Sequence, residues 1–309
     1  FHGCPPDEIE KIAVFLLKEA GLDTVIKLNP TLLGQKRLVE ILHDQLGYHH
    51  VDVPKEAFEK DLQFDTAIEM VTRLINVAKE NGRHFGVKFN NTLVSNNHGK
   101  RFEPSEMYLS GRPLHVLAMN LVEKFRKHFG PELPISFSAG IDAENISDAV
   151  ASNLTPITLC TDILRPGGYG RLARYIERVK ESYDKLNVCN RSDYILDRAE
   201  KSKIEEFLKK QSTPILVDFV NLLSEKLHKE TVSSAFAHSK KEFGCDENIA
   251  TKIEELYVKT VQYAGSLNSA VALEKINTID RYTAYRNKAN SPKVGQEGKA
   301  FDCISAPCT

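Results

Sequence analysis

Thr24-Val25-Ile26-Lys27-Leu28-Asn29-Pro30 is the stretch on which the reading of this chain turns. A short β-branched and aliphatic run stops at Asn29-Pro30, a pair that cannot continue a hydrogen-bonded ladder and opens a turn. Upstream, Ile9, Ile12, Ala13, Leu16 and Leu17 recur at spacings of three and four. That period predicts a helix with Asp7 as N-cap, following Pro5-Pro6, and Gly21 as stop. Downstream, helices are expected over about 35–46 and about 62–80, the latter closed by Asn81-Gly82. Phe85-Gly86-Val87-Lys88-Phe89 is the next strand, ending in Asn90-Asn91-Thr92. Residues 93–111 read as a long loop, and 113–129 as a helix. Ile135-Ser136-Phe137-Ser138 is a strand that breaks at Ala139-Gly140. A helix near 145–151 leads to a last strand, Ile157-Thr158-Leu159-Cys160, then Gly167-Gly168 and a helix near 170–184.

Short strands alternating with helices predict βαβ units and a parallel sheet, an α/β fold. From about residue 190 the strand signal stops. Ile204, Phe207 and Leu208, then Val217, Val220, Leu223 and Leu227, fall at helical period among Lys and Glu. Residues 290–300 read as a linker. The expected organisation is a (β/α) region over 1–184, a helical spacer over 185–290, and a linker opening a further domain over 291–309. Near the spacer's end, Arg281, Tyr282, Tyr285 and Arg286 are candidates to pack against a neighbouring cofactor module.

The 309 residues are 41% apolar and 27% charged, which excludes general disorder. Lys plus Arg number 41 against 42 Asp plus Glu, so no net field points to nucleic acid or an anionic membrane. No apolar run approaches the roughly 18 residues of a membrane helix. Six cysteines are too few for a disulfide scaffold. Cys4, Cys160, Cys189 and Cys245 are scattered, as in a reduced cytoplasmic protein. The chain opens on Phe1 without a charged-then-apolar leader and stops just after Cys303 and Cys308, so it is expected to be a piece of a longer protein.

In α/β folds ligands sit outside the carboxyl ends of the strands. Those ends carry Lys27 with Asn29, Lys88 with Asn90 and Asn91, Ser138 with Gly140, and Cys160 with Thr161. Small residues there let backbone N–H groups approach a phosphate. A lysine can neutralise a delocalised anion, and an asparagine offers both donor and acceptor to a heterocycle. Each residue singly is an ordinary solvated strand end; the set together points to a ligand site for a small-molecule substrate.

The strands with their flanks, from Val25-Ile26-Lys27-Leu28-Asn29-Pro30 through Gly86-Val87-Lys88-Phe89-Asn90-Asn91-Thr92, Leu109-Ser110-Gly111-Arg112-Pro113 and Pro134–Ile141 to Ile157-Thr158-Leu159-Cys160-Thr161, resemble strands five to eight of the FMN-binding barrel of dihydroorotate and dihydropyrimidine dehydrogenases. His2-Gly3-Cys4-Pro5-Pro6-Asp7-Glu8-Ile9, the run Lys27–Gly34, and Phe301-Asp302-Cys303 with Ala306-Pro307-Cys308 resemble the selenate reductase subunit family, large iron–sulfur flavoproteins. The resemblance implies the carboxyl-terminal half of a TIM-type (β/α)8 barrel, then a helical segment and the start of an iron–sulfur domain. It implies FMN held by Lys27, Ser110, Gly111, Ala139, Gly140, Cys160 and Thr161, with Asn29, Asn90 and Asn91 on the substrate. Ala139-Gly140 departs from the family's Gly-Gly phosphate turn, and Pro166-Gly167-Gly168 replaces its last glycine-rich sequence. Cys4 stands where such enzymes carry a catalytic base, and a thiol before a helix would have a stabilised thiolate; a structural loop cysteine is the competing reading. Cys303 and Cys308 match the first ligands of a 4Fe-4S motif, whose cluster normally takes four thiolates. A downstream FAD and NAD(P)H module is implied as redox partner.

Three function classes stay open on sequence. One is a flavin-dependent oxidoreductase. The second is a barrel that lost flavin and serves as a docking or assembly domain of a redox complex. The third is a lyase using Lys27 or Lys88 as a Schiff-base amine.

Overall fold

In the computed structural model, which describes residues 4–98, 104–244 and 246–284, the expected strands pair in sequence order. Strands β1 (Thr24–Leu28), β2 (Phe85–Phe89), β3 (Leu93–Asn96), β4 (Glu106–Leu109) and β5 (Ile135–Phe137) form two sheets. The parallel sheet has the order β1-β2-β5, with Lys27 opposite Lys88 and Lys88 opposite Ser136. The fourth expected strand is reduced to a single parallel bridge, Ile157 to Phe137. Pro156 has no N–H to give the ladder, which shortens the pairing there. The stretch read as a loop contains the antiparallel β3–β4 hairpin, whose polar Ser95-Asn96 end hid its strand character.

The helices are α1 (Pro6–Lys18), α2 (Gln35–Val39), α3 (Lys55–Lys60), α4 (Phe64–Glu80), α5 (Arg112–Phe129), α6 (Ile146–Ala151) and α7 (Leu172–Leu186), followed by α8 (Arg191–Arg198), α9 (Lys201–Gln211), α10 (Val217–Leu227), α11 (Val232–Glu242) and α12 (Glu247–Thr278). Pro5, not Asp7, caps α1, and Asp7 lies inside its first turn. A π-helical turn, Glu40–Gln45, prolongs α2 over the expected span.

Side chains alternate across β1. Thr24, Ile26 and Leu28 are buried, while Val25 and Lys27 point the other way and stay accessible. The buried face meets α1, α4 and α5. Phe89 packs edge-on against Phe125 at 4.8 Å, and Phe125 against Phe64 at 5.7 Å. Each such ring buried contributes roughly 1.5–3 kcal/mol.

A second core lies among α8–α11 and the first part of α12, around Phe219, Leu223, Phe236 and Leu256. The sequence reading made this segment a spacer; the structure shows it bound to the sheet layer. Ala272 and Ile276 of α12 belong to the first core. Arg126 of α5, buried, donates to Gly265 O (2.9 Å) and Ser152 O (2.6 Å). Asn268 donates to Ala151 O and Ile195 O, both at 2.9 Å. A Cβ on Gly265 would stand 2.4 Å from Asn153 Cβ, so glycine permits this close approach. Beyond α12, Asp280–Tyr282 forms a short 3₁₀ turn, and Ala284 N–H donates to Leu46 O at 2.8 Å.

Among the described residues no helix is long and apolar enough to cross a membrane. Cys303, Cys308, Tyr285, Arg286 and the whole of 291–309 lie outside the described residues.

Candidate functional site

The carboxyl end of β5, the start of α5 and the segment after Ile157 bring Gly111, Gly140 and Thr161 of the expected residues together. Gly111 caps α5 with φ +76° and is followed by Arg112. Gly140, at φ +51°, follows β5. A Cβ there would stand 2.2 Å from Gly111 O and 3.1 Å from His115 Cβ. Only glycine has both the backbone freedom and the space. Thr161 opens a short 3₁₀ turn, Thr161–Leu164, with Cys160 exposed at its cap. Gly111, Arg112, Gly140, Ile141, Asp142, Thr161, Asp162 and Arg165 line one narrow cleft. Ala139 is buried behind it, and Ser110 precedes it on the chain.

The charges of this cleft were not anticipated. Arg112 Nε lies 3.5 Å from Asp142 Oδ2, and Arg281 Nη2 pairs with the same oxygen. Arg171 donates to both Asp162 oxygens, at 2.9 and 3.0 Å, and Arg165 Nη1 is 3.7 Å from Asp162. The Tyr175 hydroxyl donates to Asp162 at 2.7 Å. Four guanidiniums thus surround two buried carboxylates, an excess of positive charge. Burial alone would raise the Asp142 carboxyl, but Arg281 and Arg112 hold it below the usual range. Burial and the neighbouring Arg112 push the Arg165 guanidinium down. Two arginines that repel each other across a cleft gain when an anion enters between them. Asp162 takes its arginines from nearby in the chain, Arg165 three residues on and Arg171 nine, whereas Asp142 takes Arg281 from 139 residues away, a pairing no local motif announces.

A lattice of hydrogen bonds fixes the loop after β5. Asp142 N–H donates to Asn145 Oδ1 (2.9 Å), Asn145 Nδ2 to Gly140 O (3.0 Å), and Glu144 N–H to Asp142 Oδ1 (2.9 Å). His115, buried, is held neutral by desolvation, its imidazole pushed down to about 4. Its Nδ1 lies 2.9 Å from Ala139 O, to which the neutral ring donates.

The second group lies on the accessible face of the sheet. Residues paired in a parallel register share a face, so Lys27, Lys88 and Ser136 form one row across it. Burial, then the charge of Lys27, lowers the Lys88 amine below its ordinary 10.5. Asn90 stands one step beyond this row. It is 1% exposed, and neither its Nδ2 nor its Oδ1 meets a hydrogen-bond partner. Ser138 N–H donates to Phe89 O at 2.6 Å, which sets Asn90 beside the glycine loop. An orphaned buried amide is costly, on the order of 1–3 kcal/mol per group, which makes Asn90 a candidate ligand contact.

Asn29 and Asn91 differ from Asn90. Asn91 Nδ2 donates to Asn29 Oδ1 (2.7 Å), and Asn29 Nδ2 and the Thr31 hydroxyl donate to Asp61 (3.1 and 2.7 Å). These amides pin the β1 and β2 ends together, beside a hollow of about 300 Å³ that Asn29, Asp61, Thr92 and Tyr108 help to line. Asp61 was not singled out from sequence. Cys4 is half-buried just before α1, and its Sγ is 3.5 Å from Glu8 Oε2. Desolvation and that carboxylate raise its thiol, against the stabilised thiolate expected of a helix entrance. The acidic first turn of α1, Asp7 and Glu8, outweighs the helix terminus. Among the described residues no group of three or more His, Cys, Asp or Glu is placed to hold a metal ion.

A small parallel sheet layered with helices, with its cationic cleft at the carboxyl end of β5, is consistent with the TIM-barrel class, whose ligand sites lie at the carboxyl ends of the strands. The model of the family "Oxidoreductase YgfK, N-terminal TIM-barrel domain" matches residues 1–213, and the chain belongs to this oxidoreductase family. Two curated relatives, each named "Putative oxidoreductase YgfK", from Escherichia coli (strain K12) and Escherichia coli O157:H7, are 44% identical over 181 residues. The match covers 59% of this chain and 17% of each relative, so the chain spans a small part of their length. No solved structure matches the chain.

Proposed function

We propose that residues 1–184 supply the FMN-binding part of an iron–sulfur flavoprotein oxidoreductase of the selenate reductase subunit kind. Within it, α8–α12 brace the barrel, and a 4Fe-4S cluster beginning at Cys303 and Cys308 leads to an FAD and NAD(P)H module. The observation that carries the proposal is the cleft between Gly111, Gly140 and Thr161, flanked by Arg112 and Arg165. Its donor set suits a phosphate monoester: two guanidiniums, a hydroxyl, glycine backbone and the first N–H groups of α5, which is 18 residues long.

The neighbouring face suits the rest of FMN. The Lys27–Lys88 row offers cations to an electron-rich ring, and Asn90 offers an unpaired amide to a ring edge or substrate. FMN bound there would supply hydride and single-electron chemistry. The chain's own part is to bind the phosphate, orient the ring over the sheet and hold positive charge beside it. The competing docking-domain reading gives no reason to keep an orphaned buried amide and four half-buried arginines around two buried carboxylates.

The test is the visible spectrum of the protein extended at both ends, with the released cofactor identified by mass. About one FMN per barrel is expected. Flavin confined to a downstream module, with the barrel empty, would return the domain to a docking role.

A further inference from the structure

Arg281 lies outside residues 1–213, which the family model matches, yet it reaches the cleft. It arrives on the turn after α12, at the end of the expected spacer, where it was a candidate to pack against a neighbouring cofactor module. Its guanidinium meets Asp142 Oδ2, the same oxygen that stands 3.5 Å from Arg112. Both side chains of the pair are well shielded, at 18% and 11% exposure, so water screens the contact weakly. Next to it, Tyr282 is buried and stacks on His115, with ring centroids 5.5 Å apart and planes 7° off parallel. His115 in turn holds Ala139 O, and Asn145 holds Gly140 O. The turn thus touches the glycine loop from behind through Tyr282 and from the side through Arg281.

The charge arithmetic gives this contact a consequence. A carboxylate facing Arg112 alone would neutralise it and compete with any anion for its N–H groups. A carboxylate shared with a second guanidinium competes less. We propose that Arg281 is a positioning residue: by engaging Asp142 it keeps Arg112 able to bind a phosphate monoester in the cleft. The docking of the 280–284 turn is therefore linked to phosphate affinity. This rests on reading the cleft as the phosphate end of a cofactor site.

The experiment is a double-mutant cycle in the protein extended at both ends, with inorganic phosphate and FMN as separate probes in calorimetric titration, and a thermal melt of each variant to establish folding. Arg281→Met is expected to weaken both probes about tenfold, the loss of one charge-assisted contact. Asp142→Asn keeps the Glu144 N–H bond and is expected to bind at least as tightly as wild type. In the Asp142→Asn background, Arg281→Met is expected to change affinity less than about twofold, since no carboxylate remains to be shared. Arg281→Lys keeps the cation and should hold affinity within about threefold; it and the double variant carry the test if Arg281→Met alone does not fold.

An unchanged affinity in Arg281→Met overturns the proposal. So does an equal loss in both backgrounds, which would mark a purely structural turn, or a loss in Arg281→Lys as large as in Arg281→Met. Phosphate binding that follows the cycle without FMN binding would sink the flavin reading and leave this one standing. Wild-type protein that takes neither probe would sink both.

Discussion

Gly140→Ala separates a steric cradle from an ordinary turn. The residue sits at φ +51°, and its added Cβ would lie 2.2 Å from Gly111 O, 2.7 Å from Gly111 C and 3.1 Å from His115 Cβ. The left-handed backbone costs an alanine about 1–2 kcal/mol. Relief of the overlap has to move backbone on one side or the buried His115 on the other, adding about 1–3 kcal/mol. A total near 3 kcal/mol corresponds to a Tm loss of about 6–12 °C at the scale for chains of this size. Gly82→Ala is the matched control: φ is +62°, but nothing lies within 4 Å of the added carbon. It carries the backbone term alone, about 1–2 kcal/mol and a few degrees. Differential scanning calorimetry reads both, and FMN titration reads the site. Gly140→Ala is expected to lose FMN while Gly82→Ala keeps it. Equal Tm shifts, or undiminished FMN affinity in Gly140→Ala, would refute the cradle.

Asn90→Leu removes two unpartnered buried polar atoms at nearly constant volume. Its Tm should hold or rise by a few degrees while FMN or substrate affinity falls at least tenfold; a destabilised variant would mean the amide is satisfied in the fold. Lys88 tests the lysine chemistry. Its amine is lowered by burial and then by Lys27, so Lys27→Met should raise it, read by NMR titration of the ε-carbon. Because the folded value lies below the ordinary 10.5, the unfolded state binds more protons just beneath 10.5. Stability from this group therefore rises with pH through that window, and Lys27→Met should flatten the rise. Borohydride trapping with carbonyl compounds should label Lys88 ahead of Lys27 if either amine forms a Schiff base, and its complete absence removes the lyase alternative.

The parallel sheet was legible because its signals are local. β-branched runs ending in Asn-Pro, Asn-Asn and Ala-Gly fall at β1, β2 and β5, and period-3.6 patterns fall at α1, α4 and α5. Gly111 and Gly140 were singled out by the family resemblance, and the structure gives both a positive φ that glycine suits. The ion cluster was not. Arg112, Arg165, Arg171 and Arg281 look like solvated helix and loop charges until the fold sets them beside Asp142 and Asp162. Arg126 was hidden likewise: one arginine in an amphipathic helix gives no hint that Gly265 O and Ser152 O await it. The bracing role of α12 was lost for a related reason. Its apolar positions serve two cores in turn, so no single stripe runs its 32 residues.

The placement of these distant contacts follows a physical need. A phosphate-binding loop has to present N–H groups outward, so it cannot spend them on secondary structure of its own, and its shape has to come from elsewhere. In the proposed phosphate loop it comes from behind, through His115 on Ala139 O and Asn145 on Gly140 O, and from the side, through Arg281 and Arg112 on Asp142. Carboxylates inside a cationic cleft look self-defeating for an anion site. Four guanidiniums packed without them would repel one another, and each would meet the full cost of burial. Asp142 and Asp162 offset that cost by holding the arginines in place, and the surplus cations remain for the ligand. The carboxylates are thus scaffold, not competitors, provided each is shared by more than one arginine, as both are here.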